Sequence, residues 1–427
     1  MKVKYLIEKI EGEAELEFDF KNGLVDNVNI YFPFYRGIEE ILKNRDAMDA
    51  LVITPRVCGI CNHAHLIASV RAIENGLNKA GINIDLTQKA ISLREFTLSC
   101  EIVQSHFKWF YLVALPQLLN LDRMKCPDNY ILKASWASTN IVKALAIFSG
   151  QWPHASYAVP GGVSCDPTYE DIIQAESLVD EVIRFVENEL IGMNIDEYHK
   201  RKEISNIKGD MAIMFGMLDK HNMKIKGKSY DRFAVFGEHP IFQTGQYNKK
   251  YSNDIDFSHI EEHPQHNSKA KSVTYKDMCY EVGPLARAIM TKNDFMLNLH
   301  DKYKDSVLTR VYARLDETIK LLVHIKSLLA NLNVKELSCT LANMPKALEA
   351  DGVGMVEAAR GSLIHQSIIK DGKIQKYNII TPTQWNLSSG TQKEAGIAAQ
   401  AIKGSVSIEE ATFIFRTFDV CSVCTTH

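Results

Sequence analysis

The sequence has no uninterrupted apolar run of about 20 residues, the length a bilayer-spanning helix needs, so no segment is expected to cross a membrane. It has no excess of positive charge. Lys and Arg number 49 against 52 Asp and Glu, and a net charge of -3 gives no reason to expect binding to nucleic acid or an anionic surface. It contains no internal repeat and no low-complexity linker. The opening residues carry charges every few positions and lack the apolar core of a signal peptide, so a cytoplasmic location is expected and export would depend on a partner. Nor do the nine cysteines make an even set: they fall into two tight pairs, Cys58/Cys61 and Cys421/Cys424, and five scattered singles. That pattern suits reduced thiols and a metal better than a disulfide framework. The singles (Cys100, Cys126, Cys165, Cys279 and Cys339) read as small core residues.

What is present is ordinary globular material, 46% apolar and 24% charged over 427 residues, enough to bury a large core. The first thirty or so residues alternate apolar and polar, with turn signals at Asn22-Gly23 and Asp26-Asn27, and predict a small antiparallel sheet within 1–35. From Ile38 the period becomes helical. Helices are expected at 62–80, at 87–115 (apolar on most sides and ended by Pro116), and at 135–149, 169–192, 284–299 and 306–332. The stretch 193–280 turns polar and reads as a peripheral insertion of surface loops and short strands. Residues 373–386 read as a short strand and turn, and 391–403 as a final helix. The expected architecture is a single α+β domain over 1–427, a central long-helix bundle with small antiparallel sheets at its periphery.

The first cysteine pair sits in Arg56-Val57-Cys58-Gly59-Ile60-Cys61-Asn62-His63-Ala64-His65 and the second in Asp419-Val420-Cys421-Ser422-Val423-Cys424-Thr425-Thr426-His427. Two Cys-x-x-Cys loops can present four thiolates to zinc, to an iron–sulfur cluster or to nickel. Spacing alone favours structural zinc. Against zinc stand the roughly 360 residues between the pairs, where zinc ribbons use a few tens, and the histidine that follows each pair.

These two motifs resemble those of nickel-iron hydrogenase large subunits, and the resemblance runs through most of the chain. Arg36-Gly37-Ile38-Glu39, Arg45-Asp46-x-x-Asp49-Ala50, Pro160-Gly161-Gly162-Val163, Tyr280 to Arg287, Glu357-x-x-Arg360-Gly361-x-x-x-His365 and Pro382-Thr383-x-Trp385-Asn386 all match that family's pattern in order. The resemblance implies a nickel-iron centre with carbon monoxide and cyanide on the iron. Cys58 and Cys421 would bind nickel terminally, and Cys61 and Cys424 would bridge the two metals. A terminal thiolate, Cys421, could accept a proton during heterolytic H2 cleavage. Glu11, in Ile10-Glu11-Gly12, matches the carboxylate that carries that proton away. Arg360 would lie over the open metal position, with pairing to Glu357 as its structural alternative. Pro382 and Thr383 would contact the cyanides, and His65 would donate a hydrogen bond to a bridging sulfur. Glu39, the Ile379 carbonyl and His427 match a site for magnesium or ferrous iron. His63 reads as structural.

The chain departs from the pattern in places. Val420 and Ala359 each replace a proline, and Gln104-Ser105-His106 stands where oxidising hydrogenases carry an aspartate, which is more like the cytosolic uptake and sensor branch. The resemblance implies an obligatory iron–sulfur small-subunit partner, H2 as substrate and a dimer of heterodimers. Two other readings compete: an H2 sensor that signals to a partner kinase, and a non-redox protein with a four-thiolate zinc.

Overall fold

The computed structural model describes residues 1–7, 13–341 and 343–421. The opening alternation forms a three-stranded antiparallel sheet of β1 (Lys2–Ile7), β2 (Ala14–Lys21) and β3 (Leu24–Tyr31), as its spacing predicts. Leu16, Phe18, Val25, Val28 and Ile30 point into the core. The short helix α1 (Ile38–Leu42) follows, and then α2 (Asn62–Lys79), within a residue of expectation.

Helices α3 (Gln88–Lys108), α4 (Asp128–Ser149), α5 (Tyr169–Phe185), α6 (Pro284–Met290) and α7 (Val307–Ala330) build the interior. α3 packs on α4 and α7, and α5 closes against both of those. Helix α3 is buried as expected, but it is not apolar. Arg94, Glu101, Gln104, Ser105 and His106 all lie inside. Most of this polarity is paired: Arg94 donates to both oxygens of Glu74 and to the Gly162 carbonyl, and His106 meets Glu317 at 2.8 Å.

Several boundaries differ from the sequence reading for identifiable reasons. Pro116 does not end the helical run that begins with α3. A π-turn, Trp109–Ala114, widens the backbone ahead of it, so the proline opens a further segment, Leu115–Asn120, where its missing N–H costs little. The helix expected over 284–299 breaks after Met290, where Lys292 is left-handed and Asn293 caps a new helix. The helix expected over 391–403 is only Ile397–Ile402. The stretch 193–280 supplies short strands, but also the helix Gly209–Lys220 and the strand β4 (Arg232–Val235), all four of whose residues are buried beside α6.

Two long strands escape the sequence reading. β5 (Ala350–Ala358) and β6 (Gly361–Lys370) pair with β7 (Lys373–Ile380) in an antiparallel sheet that lies on α2. Glycines are poor strand formers, and they hide these strands from a propensity argument. Their purpose is close approach. A Cβ on Gly354 would come within 2.0 Å of the Ala68 carbonyl, and one on Gly352 within 1.9 Å of the Ala72 carbonyl. The sheet therefore meets the helix backbone to backbone. α8 (Pro382–Leu387) and α9 (Ile408–Arg416) complete the path to the second cysteine pair.

Candidate metal centre

The first cysteine pair bridges a short 3-10 turn, Thr54–Val57, and the start of α2. Cys58 is extended and Cys61 is the residue before the helix. The Cys58 sulfur accepts the backbone N–H groups of Ile60 and Cys61, each at 3.3 Å, which favours a thiolate there. Arg36 holds this loop from outside by donating to the Arg56 and Val57 carbonyls. Glu101 of α3 holds it from inside, its two oxygens accepting the His63 and Ala64 N–H groups at 2.8 and 3.0 Å. Burial pushes the Glu101 carboxyl up to about 8 despite those bonds. The His63 ring stays neutral, burial pulling it down to about 3, and it rests beside Tyr157 and Asn62.

Cys421 arrives from α9 at the far end of the chain. Its sulfur lies 3.5 Å from that of Cys58, and the sulfurs of Cys58, Cys61 and Cys421 all fall within 4.8 Å of one another, buried. Soft thiolates so grouped could hold a transition metal. Cys424 and His427, like Glu11, lie outside the described residues.

Arg360, in the turn between β5 and β6, donates through Nε to the Asp419 carbonyl at 3.0 Å and through Nη2 to its carboxylate at 3.2 Å. Burial works against its charge, but Asp419 and the sulfurs of Cys421, Cys61 and Cys58 outweigh that and keep the guanidinium protonated. Glu357, its alternative partner by sequence, is taken instead by Arg287, which also holds Glu317.

A small cavity opens beside the cysteines, lined by Cys61, His65, Ala358, Arg360, Leu363, Pro382 and Thr383. Two hydrogen-bonding atoms in its wall, Nη1 of Arg360 and the Thr383 hydroxyl, are buried without a hydrogen-bond partner among the described residues. Such groups are rare in folded proteins and point to a missing acceptor. The cavity thus joins five residues singled out from separate sequence motifs: Cys61, His65, Arg360, Pro382 and Thr383. Farther off, the Glu39 carboxylate accepts the Ile379 N–H at 2.8 Å, bringing together two of the three residues expected to share a hard cation.

Residues 36–125 and 124–427 match the nickel-dependent hydrogenase family. The chain belongs to that family. Among curated relatives of this hydrogenase is the periplasmic [NiFeSe] hydrogenase large subunit of Desulfomicrobium baculatum, 26% identical across 100% of this chain and 95% of that one. One chain of the F420-non-reducing hydrogenase of Methanothermobacter marburgensis is also 26% identical, covering 99% of this chain and 93% of its own length. The Ni-Fe-Se hydrogenase of D. vulgaris Hildenborough in its reduced state shares the fold, with a TM-score of 0.85 at 23% identity over all of both chains.

Some residues that shape this hydrogenase's site were not singled out from sequence. Glu101 is one; a carboxylate one turn before Gln104 on an otherwise enclosed helix was the available signal. Gln104, which the sequence did single out, donates its amide to the Ile60 carbonyl at 3.3 Å, between the two cysteines. Ser69 and Tyr377 had no motif. Among the described residues no helix is long and apolar enough to cross a membrane.

Proposed function

We propose that the chain is the catalytic large subunit of a nickel-iron hydrogenase, converting H2 reversibly to two protons and two electrons. The reading is carried by three cysteine sulfurs from opposite ends of the chain meeting beside a cavity lined by Arg360, Pro382 and Thr383. The donor set fits the cofactor: thiolates suit nickel and iron, and the Arg360 Nη1 and the Thr383 hydroxyl, which have no hydrogen-bond partner among the described residues, suit diatomic ligands that accept hydrogen bonds. Bound by Cys58, Cys61, Cys421 and Cys424, the bimetallic group with its carbon monoxide and cyanide would supply Lewis acidity and redox capacity.

The protein's own groups would manage the charge. Cys421 would take up the proton released by heterolytic cleavage, and Glu11 would carry it outward. Arg360 presents a fixed positive charge to the cavity that favours polarised H2. Glu39, the Ile379 carbonyl and His427 would hold magnesium or ferrous iron through a hard donor set.

The chain would act as one domain, in a dimer of heterodimers whose small subunit takes up the electrons in its iron–sulfur clusters. A cytoplasmic location is further supported by Gln104-Ser105-His106, which resembles the cytosolic branch. The same motif resembles the sensor branch as well, which gives the second reading, an H2 sensor that signals to a partner kinase. Slow turnover together with co-purification of a kinase would select the sensor.

Metal analysis and infrared spectroscopy of the purified pair test the assignment. One nickel and one iron per chain, with carbon monoxide and cyanide stretches, are expected. A single zinc without nickel would overturn it.

A further inference from the structure

A second cavity, far larger than the one beside the cysteines, shares no lining residue with it. It is an open cleft of about 570 Å³ between the helix Gly209–Lys220 and the helix Asp294–Tyr303. Small-molecule sites typically measure roughly 300–1,000 Å³. Each helix turns one stripe toward the cleft: Ala212, Phe215, Gly216 and Asp219 on the first, and Phe295, Asn298, Leu299 and Lys302 on the second. Both stripes have the three- and four-residue spacing of a single helix face. Faces of that kind ordinarily close on a neighbour; here they stand apart.

Gly216 helps to keep them apart. Glycine is a poor residue inside a helix, and it is normally kept there for a close contact. Gly216 has no such contact: a Cβ there would meet nothing within 4 Å. What its missing side chain provides is open space in the cleft.

The surroundings are basic. Residues 200–228 carry eight Lys and Arg against three Asp and Glu, in a chain whose net charge is -3. The two carboxylates in the cleft wall are already engaged, Asp219 with Lys224 at 2.7 Å and Glu203 with the Ser205 hydroxyl at 2.8 Å. Lys202 and Lys302, also in the wall, form no ion pair among the described residues. Behind the Phe295 ring, 4.6 Å from its centre, lies the Arg201 guanidinium. Its partner Asp316 is 3.9 Å away and is held by Lys320 at 2.7 Å, so Arg201 adds positive field to that wall. Phe295 itself is braced by stacking on Tyr312. The cleft thus offers a fixed aromatic face, the amide of Asn298 to donate and accept hydrogen bonds, and ammonium groups for an anion.

We propose that this cleft binds a phosphorylated aromatic heterocycle of mononucleotide size, its ring against Phe295 and its phosphate drawn to Lys202 and Lys302. A fatty anion would use the charge but not the Asn298 amide, and inorganic phosphate would leave the apolar stripes bare.

Equilibrium dialysis of the purified subunit pair against AMP tests this, with adenosine and inorganic phosphate in parallel. AMP should bind below about 1 mM, at least tenfold tighter than either fragment, and added salt should weaken it. Gly216→Leu should abolish binding without lowering the melting temperature, since leucine is the better helix former. Lys302→Glu should weaken it at least tenfold, and this exposed substitution decides alone should Gly216→Leu fail to fold. Both variants should keep the wild-type metal content. No AMP bound at about 5 mM, or binding that neither variant changes, overturns the proposal. Phosphatidylglycerol vesicles that bind the wild type but not Gly216→Leu, with AMP unbound, would overturn it in favour of a lipid.

Discussion

Asp419 grips Arg360 through both its backbone carbonyl and its carboxylate, so the buried cation shares a mount with Cys421, two residues further on. Arg360→Lys cannot reproduce two diverging N–H bonds from one planar group. Turnover should fall at least tenfold, about 1.4 kcal/mol of transition-state stabilisation, with nickel content unchanged. Assays of H2 oxidation beside metal analysis check this, and an unaffected rate removes Arg360 from the chemistry.

Removing the other partner should act on stability. Asp419→Ala leaves a fully enclosed guanidinium without its counter-charge, a loss of about 3 kcal/mol for a buried pair. Thermal unfolding of the variant beside the wild type reads it. A melting temperature within error of wild type would show that the cysteine sulfurs alone hold Arg360.

Glu11→Gln keeps the shape of the side chain and removes its proton-carrying capacity. Most H2/D2 exchange with solvent should disappear while nickel and iron stay bound. Retained exchange would show that protons leave by another route.

His239 gives a pH dependence away from the metal centre. It is enclosed beside Phe242, Ser99 and Ile241, and burial pulls its ring down to about 3. Its folded value lies below the ordinary value of 6.5, so the unfolded chain binds more protons in between. This residue's contribution to stability is therefore complete above pH 6.5 and is lost as pH falls toward 3. Denaturant titrations across that window should show a shallower slope for His239→Gln, and identical slopes would contradict the assignment.

The long helices were legible because periodicity is a local signal, and the two Cys-x-x-Cys pairs because their spacing is. The N-terminal sheet was legible for the same reason. The sheet under α2 was not, since Gly352, Gly354 and Gly361 weaken every local indication of a strand. Their role appears only when the helix they touch is in place. Likewise Arg287 could not be matched to Glu317 and Glu357, nor Glu101 to the first cysteine loop, because such pairs join residues 30 to 70 positions apart. Helix α9 carries a Ser407-to-Glu410 cap that a closer reading of its start would have caught.

The contact of Gly354 with Ala68 makes the first cysteine loop and the Arg360 turn parts of one rigid jig. The helix that begins just after Cys61 and the strand that ends two residues before Arg360 touch through their main chains, with no side chain between them to flex. Gly354→Ala would prise them apart, so its harm should reach metal loading as well as folding, at a cost of about 3 kcal/mol or more. The gap between cation and sulfur is thus machined into the backbone, where ordinary variation among side chains cannot retune it.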